Sequence, residues 1–254
     1  MRRAVLKQQA KQLLRRTVGE PYVGKRIKLR RLAQALPPLR LQPTAILDAG
    51  AEDATFVYWL ADRYPGAQVT AVDLDAAAIA ACLAARPAAY RESVHFEVGS
   101  FDTLRPASFD LITAFDVLEH ITDDHGAVAD LVRALRPGGT LLVHVPRDRW
   151  LERSGTVHQV PDADAWQINP GHVRQGYSPQ SMRTLLEGAG LEVLDLQTWV
   201  GHAGTFAHEF YARVEHPVPL RALSLPVTDW CARLDRRRGG LLGNTVYAQA
   251  RKPA

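Results

Sequence analysis

Cysteine is scarce: a chain of 254 residues holds only Cys82 and Cys231. Two cysteines make no disulfide framework, and no CxxC or Cys/His ligand spacing surrounds them. A disulfide scaffold is therefore excluded, the cysteines give no sign of a structural zinc site, and a reducing compartment is expected. Long apolar runs are missing as well. No stretch approaches the roughly 20 apolar residues of a spanning helix, and the basic N-terminus lacks the apolar core of a secretory signal. The expectation is a cytoplasmic protein, at most peripheral to a membrane. Repeats and low-complexity tracts are also absent. What is present is an apolar share of 46%, enough for a sizeable core, over a length that suits one large domain or one domain with an appendage.

Acidic residues are nearly missing from the first 40 positions, where twelve Lys and Arg face the single acid Glu20. The remaining chain is acidic, so the net charge of +4 belongs to this leading arm. Leu6, Ala10, Leu13, Leu14 and Val18 fall near helical spacing, and Ile27, Leu32, Ala35 and Leu36 suggest a second helix ended by Pro37-Pro38. Residues 1–40 read as a basic helical arm that caps the domain formed by 41–254. An anionic membrane surface is the other partner such an arm fits.

From residue 44 strands and helices alternate. Strands are expected at Thr44–Ala49, Gln68–Asp73, Val94–Val98, Phe109–Phe115, Thr140–Val145, Leu191–Trp199 and Thr245–Ala250. Helices fall between them at Ala54–Arg63, Ala76–Arg86, about 124–135 and Ser178–Ala189, the last with Ser178 as N-cap and Pro179 in its first position. This order predicts an α/β, Rossmann-like fold with a mostly parallel sheet covered on both faces. Residues 146–177 read as a lid-like segment after strand five and 200–243 as an insertion, since long connections usually carry function. Val218–Leu234 reads as a partly amphipathic helix, for core packing or a homodimer contact, with membrane contact as the bolder alternative.

The chemistry-bearing run is Ile46-Leu47-Asp48-Ala49-Gly50-Ala51, followed by Val72-Asp73-Leu74-Asp75. A strand ending at Asp48 turns at Gly50, where a missing side chain lets backbone approach a ligand. Asp73, at the next strand's tip, is placed for two ribose hydroxyls. A dinucleotide needs its pyrophosphate on this turn, yet Glu52 and Asp53 put two negative charges there. S-adenosylmethionine (SAM) has no phosphate and carries a sulfonium and an ammonium, so the turn favours it.

With the later runs VHFEVGSFDTL, SFDLITAFDVLEHITD, LRPGGTLLVHVP and GHVRQGYSPQSMRTLLEGAGLEV, the chain resembles the class I SAM-dependent methyltransferases over roughly residues 44–199. It is most similar to the broad small-molecule group that includes the ubiquinone- and sugar-type enzymes. The resemblance implies a seven-stranded sheet whose last strand is antiparallel. It implies that Asp48, Gly50, Ala51 and Glu52 flank the methionine part, Asp73 and Leu74 the ribose, and Ser100 and Phe101 the adenine, with Phe115 and Asp116 facing the reactive methyl. Three positions depart from the family's D-x-G-x-G-x-G turn and its adenine-reading acid. Glu52 and Ala54 stand where glycines are usual, and Ser100 stands where an acid is common, with Asp102 nearby.

Methyl transfer is an in-line displacement, so the protein mainly aligns donor and acceptor and excludes water. A hydroxyl or amine acceptor also has to lose a proton, for which His120, His172 and Asp116 are the candidates, in that order. The function expected is methylation of a small-molecule hydroxyl or amine, such as a glycan or secondary-metabolite intermediate. The alternatives are a degenerate methyltransferase fold that binds without turnover and a nucleic-acid methyltransferase using the arm. The latter is disfavoured because no Asn/Asp-Pro-Pro-Tyr/Phe run follows strand four. Trp150, His158 and Trp166 suggest an aromatic lid, and His202, His208, Glu209 and His216 read as surface scatter rather than a metal site.

Overall fold

The computed structural model describes residues 22–151, 157–159, 171–213 and 243–254, together with scattered positions between 5 and 20 and between 226 and 234. Seven strands build one sheet: β1 (Ala45–Ala49), β2 (Gln68–Asp73), β3 (Val94–Val98), β4 (Phe109–Phe115), β5 (Leu135–Pro146), β8 (Glu192–Trp199) and β9 (Thr245–Arg251). Their order is β3-β2-β1-β4-β5-β9-β8. Every pairing is parallel except those of β9, which runs antiparallel to both β5 and β8. Strand order therefore reverses between β1 and β4, and in such sheets the crevice beyond the carboxyl ends at that point takes the ligand.

Alternate residues of the central strands feed two separate cores. Leu47, Ile112, Leu141 and Val143 face α4 (Asp124–Ala134) and α5 (Pro179–Gly188) through Val128, Leu131, Met182 and Leu186. Ile46, Val69, Leu111 and Leu142 face α1 (Val23–Ala35), α2 (Thr55–Arg63) and α3 (Ala76–Ala85) through Leu32, Val57, Leu60 and Ile79. A strand apolar on both faces has to be interior, because each buried Leu or Ile contributes about 1.5–3 kcal/mol and no face is left for water. The expected cap of α5 is present, with the Ser178 hydroxyl accepting from Ser181 N at 2.9 Å and Pro179 at the first position.

Three features differ from the sequence expectation. Strand β5 begins at Leu135, five residues early, because Leu135 pairs with Phe109 and the strand then bulges through Pro137–Gly139, where Gly138 takes a left-handed φ of 76°, before Thr140 pairs with Leu111. Inside 146–177, β6 (Arg149–Leu151) and β7 (Val157–Gln159) form an antiparallel ribbon. The stretch after residue 200 opens with α6 (His202–Arg213), whose buried Thr205 and Ala207 give it a helical inner face that His202 and Gly204 conceal in the sequence. Ala207 packs with Val23, Ile27 and Cys231, which ties α1 to the 226–234 positions, where Val227, Trp230 and Leu234 stay exposed. His202 is exposed, whereas His216, Trp166 and the side chains of Trp150, His158, His208 and Glu209 lie outside the described residues.

Candidate cofactor and acceptor site

A cavity of about 890 Å3 opens at the carboxyl ends of β1, β2 and β4. Gly50, Glu52, Asp73, Leu74, Ser100, Phe101, Phe115, Asp116 and His120 all line it, as does Asp102 beside Ser100. Asp48 and Ala51 are buried and are absent from the lining. Asp73 is held at both carboxylate oxygens, accepting from Glu52 N and from Asp75 N at 2.9 Å each. An acid fixed in this way needs no reorganisation to meet a diol. Asp75 in turn caps α3 by accepting from Ala77 N and Ala78 N. Gly50 takes a left-handed φ of 82°, and its amide donates to Val72 O; a Cβ there would lie 2.2 Å from Val117 Cγ2.

Glu52 and Ala54, standing where the related turn carries glycines, adopt left-handed φ values of 42° and 59°. The backbone keeps a glycine-like path although the side chains have changed, at a strain of about 1–2 kcal/mol per residue. The Glu52 side chain is 73% exposed, and its carboxylate accepts from Lys25 Nζ at 2.7 Å. It forms part of the cavity rim, paired with a cation.

The arm supplies that cation and others. Lys25 also meets Asp53 at 2.8 Å, Arg15 meets Asp53 at 3.2 Å, and Lys28 pairs with Asp116. Asp116 Oδ1 lies 2.8 Å from Nδ1 of the fully buried His144. Burial alone would raise the Asp116 pKa, but Lys28 and His144 outweigh it and hold the carboxyl far below the usual range. Burial and Lys28 push the His144 pKa down, which leaves a neutral imidazole to donate Nδ1–H to Asp116. So weakly basic a carboxylate takes no proton near neutral pH. Asp116 works as an anchor for α1.

His120 and His172, 52 positions apart in sequence, meet edge to face with ring centroids 4.7 Å apart. Two hydrogen bonds bring them together: the His120 Nδ1 with Gly171 O at 2.8 Å, and Val173 N to Glu119 O at 2.9 Å. Glu119, on the 3-10 turn Leu118–His120, is 1% exposed. Burial and the neighbouring Asp116 raise its pKa to about 8. Burial and His120 lower that of His172. Sequence reading passed over Glu119 and Lys28. The available signal for Glu119 was a carboxylate wedged between Leu118 and Ile121.

Asp48 has a separate consequence. Burial lifts its pKa to about 7, against the opposing effects of the Thr113 hydroxyl, which donates to it at 2.6 Å, and of Lys25. The folded state therefore binds a proton between pH 3.8 and about 7 that the unfolded state releases. This contribution is complete below pH 3.8, falls as pH rises through that window and is absent above it. Asp48→Asn should flatten the decline: between pH 5 and pH 8 the parent's Tm falls more than the variant's, and equal slopes by calorimetry would contradict this.

Sheet order, the left-handed turn after β1 and the doubly held acid at the end of β2 are those of the Rossmann-like methyltransferase fold. The methyltransferase-domain family matches residues 22–196, and the chain belongs to it, among the class I enzymes whose cofactor is SAM. Its match begins at α1, so the second helix of the arm is within the family's own span. A trans-aconitate 2-methyltransferase of Paracidovorax citrulli is 25% identical over 73% of this chain and 65% of its own length. A ubiquinone biosynthesis O-methyltransferase of Idiomarina loihiensis is 32% identical over 38% of this chain and 40% of its own. The alignments to the first curated relatives span only 25% to 65% of those proteins. Among solved structures, a SAM-dependent methyltransferase from Mesorhizobium loti shares the fold at a TM-score of 0.59 and 20% identity, covering 89% of this chain and 98% of that one. A Haemonchus contortus phosphoethanolamine N-methyltransferase with SAM bound gives 0.60 and 18%, covering 96% and 60%.

Proposed function

We propose that this protein transfers the methyl group of SAM to a hydroxyl or amine of a small molecule, such as a glycan or secondary-metabolite intermediate. The observation that carries the reading is the cavity at the strand-order reversal, with Asp73 fixed at one side and His120 on the wall beside Phe115. SAM supplies a methyl already activated on a sulfonium. The residues then have to hold the donor, aim the acceptor and keep water out. Asp73 takes the ribose hydroxyls, while Ser100, Phe101 and Asp102 flank the base. With its Nδ1–H donated to Gly171 O, His120 keeps a lone pair on Nε2 that either takes the acceptor's proton itself or holds a cation that acidifies the acceptor.

Charge narrows the acceptor. Seven carboxylates line the cavity: Glu52, Asp73, Asp75, Asp102, Asp116, Asp123 and Asp130. They suit the cationic donor and a neutral or cationic acceptor. A polycarboxylate of the kind named for the trans-aconitate relatives, or the phosphates of a nucleic acid, would meet repulsion. The arm fits a cap better than a membrane anchor, because Arg15, Lys25 and Lys28 are spent on Asp53, Glu52 and Asp116. No helix among the described residues is long and apolar enough to cross a membrane.

Calorimetric titration with SAM, followed by radiolabelled methyl transfer to a panel of amines, phenols, glycosides and polycarboxylates, tests this reading. Saturable SAM binding and label in the first three groups are expected. No heat at millimolar SAM would leave the binding-only alternative, and label confined to polycarboxylates would reverse the charge argument.

A further inference from the structure

We propose that Glu119, His120 and His172 form a divalent transition-metal site in the acceptor-side wall of the cavity. One donor atom from each residue lies within 4.8 Å of the other two, so side-chain adjustments of a few tenths of an ångström bring all three to a single ion at ordinary ligand distances of about 2.0–2.2 Å. Two of the donors have nothing else to bind. Glu119 Oε2 and His172 Nδ1 are buried without a hydrogen-bond partner, and among the described residues Glu119 makes no close ion pair that would compete with a cation. A buried carboxylate oxygen with no partner is costly. A cation between the three side chains removes that cost.

The third donor is prepared in the way metal-bound imidazoles are. The His120 Nδ1–H donated to Gly171 O fixes the tautomer and directs the Nε2 lone pair outward. The Val173 N to Glu119 O bond holds the second segment in register, so the site joins the turn after β4 to the residues entering Tyr177. Asp116, whose charge already acts on both Glu119 and His172, adds a favourable negative potential. Two imidazoles and one carboxylate suit zinc first, with manganese and ferrous iron as alternatives, and disfavour the oxygen-seeking calcium and magnesium.

Three protein ligands leave a position free, and His120 lines the cavity. An acceptor hydroxyl bound there would have its pKa lowered and would release its proton to solvent. Its oxygen lone pair then forms the bond to the methyl carbon while the carbon–sulfur bond breaks and sulfur keeps the electron pair. This role depends on the methyl transfer proposed above, whereas the metal site itself does not.

The test uses the full chain stripped with a chelator. Titration with Co2+, read by visible absorption, and with Zn2+ in competition with a chromogenic chelator should each show one equivalent bound. Glu119→Gln and His172→Ala should each weaken binding about tenfold or more, with circular dichroism reporting folding. No saturable equivalent in the parent, or both variants folded and binding like the parent, would overturn the site. Should the variants not fold, the Co2+ spectrum of the parent decides: imidazole-type bands from an ordered site support it, and an aquo-ion spectrum refutes it. SAM titration of the stripped protein keeps the two ideas apart. SAM binding and methyl transfer by the stripped protein would sink the metal's part in the reaction and leave the binding titration to decide the site, and a bound metal with no SAM binding would sink the transferase reading alone.

Discussion

Asp73→Asn should raise the Kd for SAM by about a hundredfold or more. The carboxylate is aligned by Glu52 N and Asp75 N, so on the proposed function its remaining lone pairs would meet a ribose diol without conformational cost. Two hydrogen bonds to a charged acceptor contribute about 1.5–3 kcal/mol each, and every 1.4 kcal/mol is a factor of ten. An amide keeps the shape, loses the charge and presents one donor where two acceptors stood. The change in Tm should be small, because Asp73 lies at the rim and its backbone partners stay near water. Isothermal titration of parent and variant checks this. A Kd within threefold of the parent would mean that the ribose lies elsewhere.

Gly50→Ala should both destabilise the protein and close the crevice. A side chain at φ 82° costs about 1–2 kcal/mol. The new Cβ would also fall 2.2 Å from Val117 Cγ2, and crowding of this kind costs a further 1–3 kcal/mol or so. Val117 is β-branched, so its methyl cannot swing aside without leaving its rotamer. Adding Val117→Ala should therefore recover the steric part and leave the backbone part. Denaturant unfolding of the two single variants and the double variant measures that coupling directly. Strict additivity would show that the two residues do not touch.

The seven sheet strands and four of the helices were legible because their signals are local. The short, continuously apolar runs of β1 and β4, the Ser178-Pro179 start of α5 and the Pro137–Gly139 break after α4 each act over a few residues. The mostly parallel sheet and the acid at position 73 followed from the same local pattern, whereas the antiparallel last strand came from the family resemblance. The parts that were missed depend on contacts between distant residues. Nothing near Lys28 in the sequence indicates that its partner is Asp116, 88 positions away. Helix α6 was hidden because its inner face is made of Thr205 and Ala207, which register weakly as apolar. The meeting of His120 with His172 depends on how residues 171–173 return across the β4 turn, and no spacing rule encodes that path. Glu52 was the hardest to judge. Its charge in the cofactor turn could be read from the sequence, but its outward direction and its pairing with Lys25 could not.

The salt links from the leading segment shift where the catalytic unit begins. A boundary placed at residue 44, where the first strand starts, would retain every strand and every cavity-lining side chain. It would also strip Asp53 and Asp116 of their cationic partners Lys25, Arg15 and Lys28, and the loss is larger at Asp53, which is 5% exposed, because a buried charge left without its counter-ion is costly. Strand topology begins with β1, whereas charge balance reaches back at least to Arg15. Any shortened version meant to work has to respect the earlier limit.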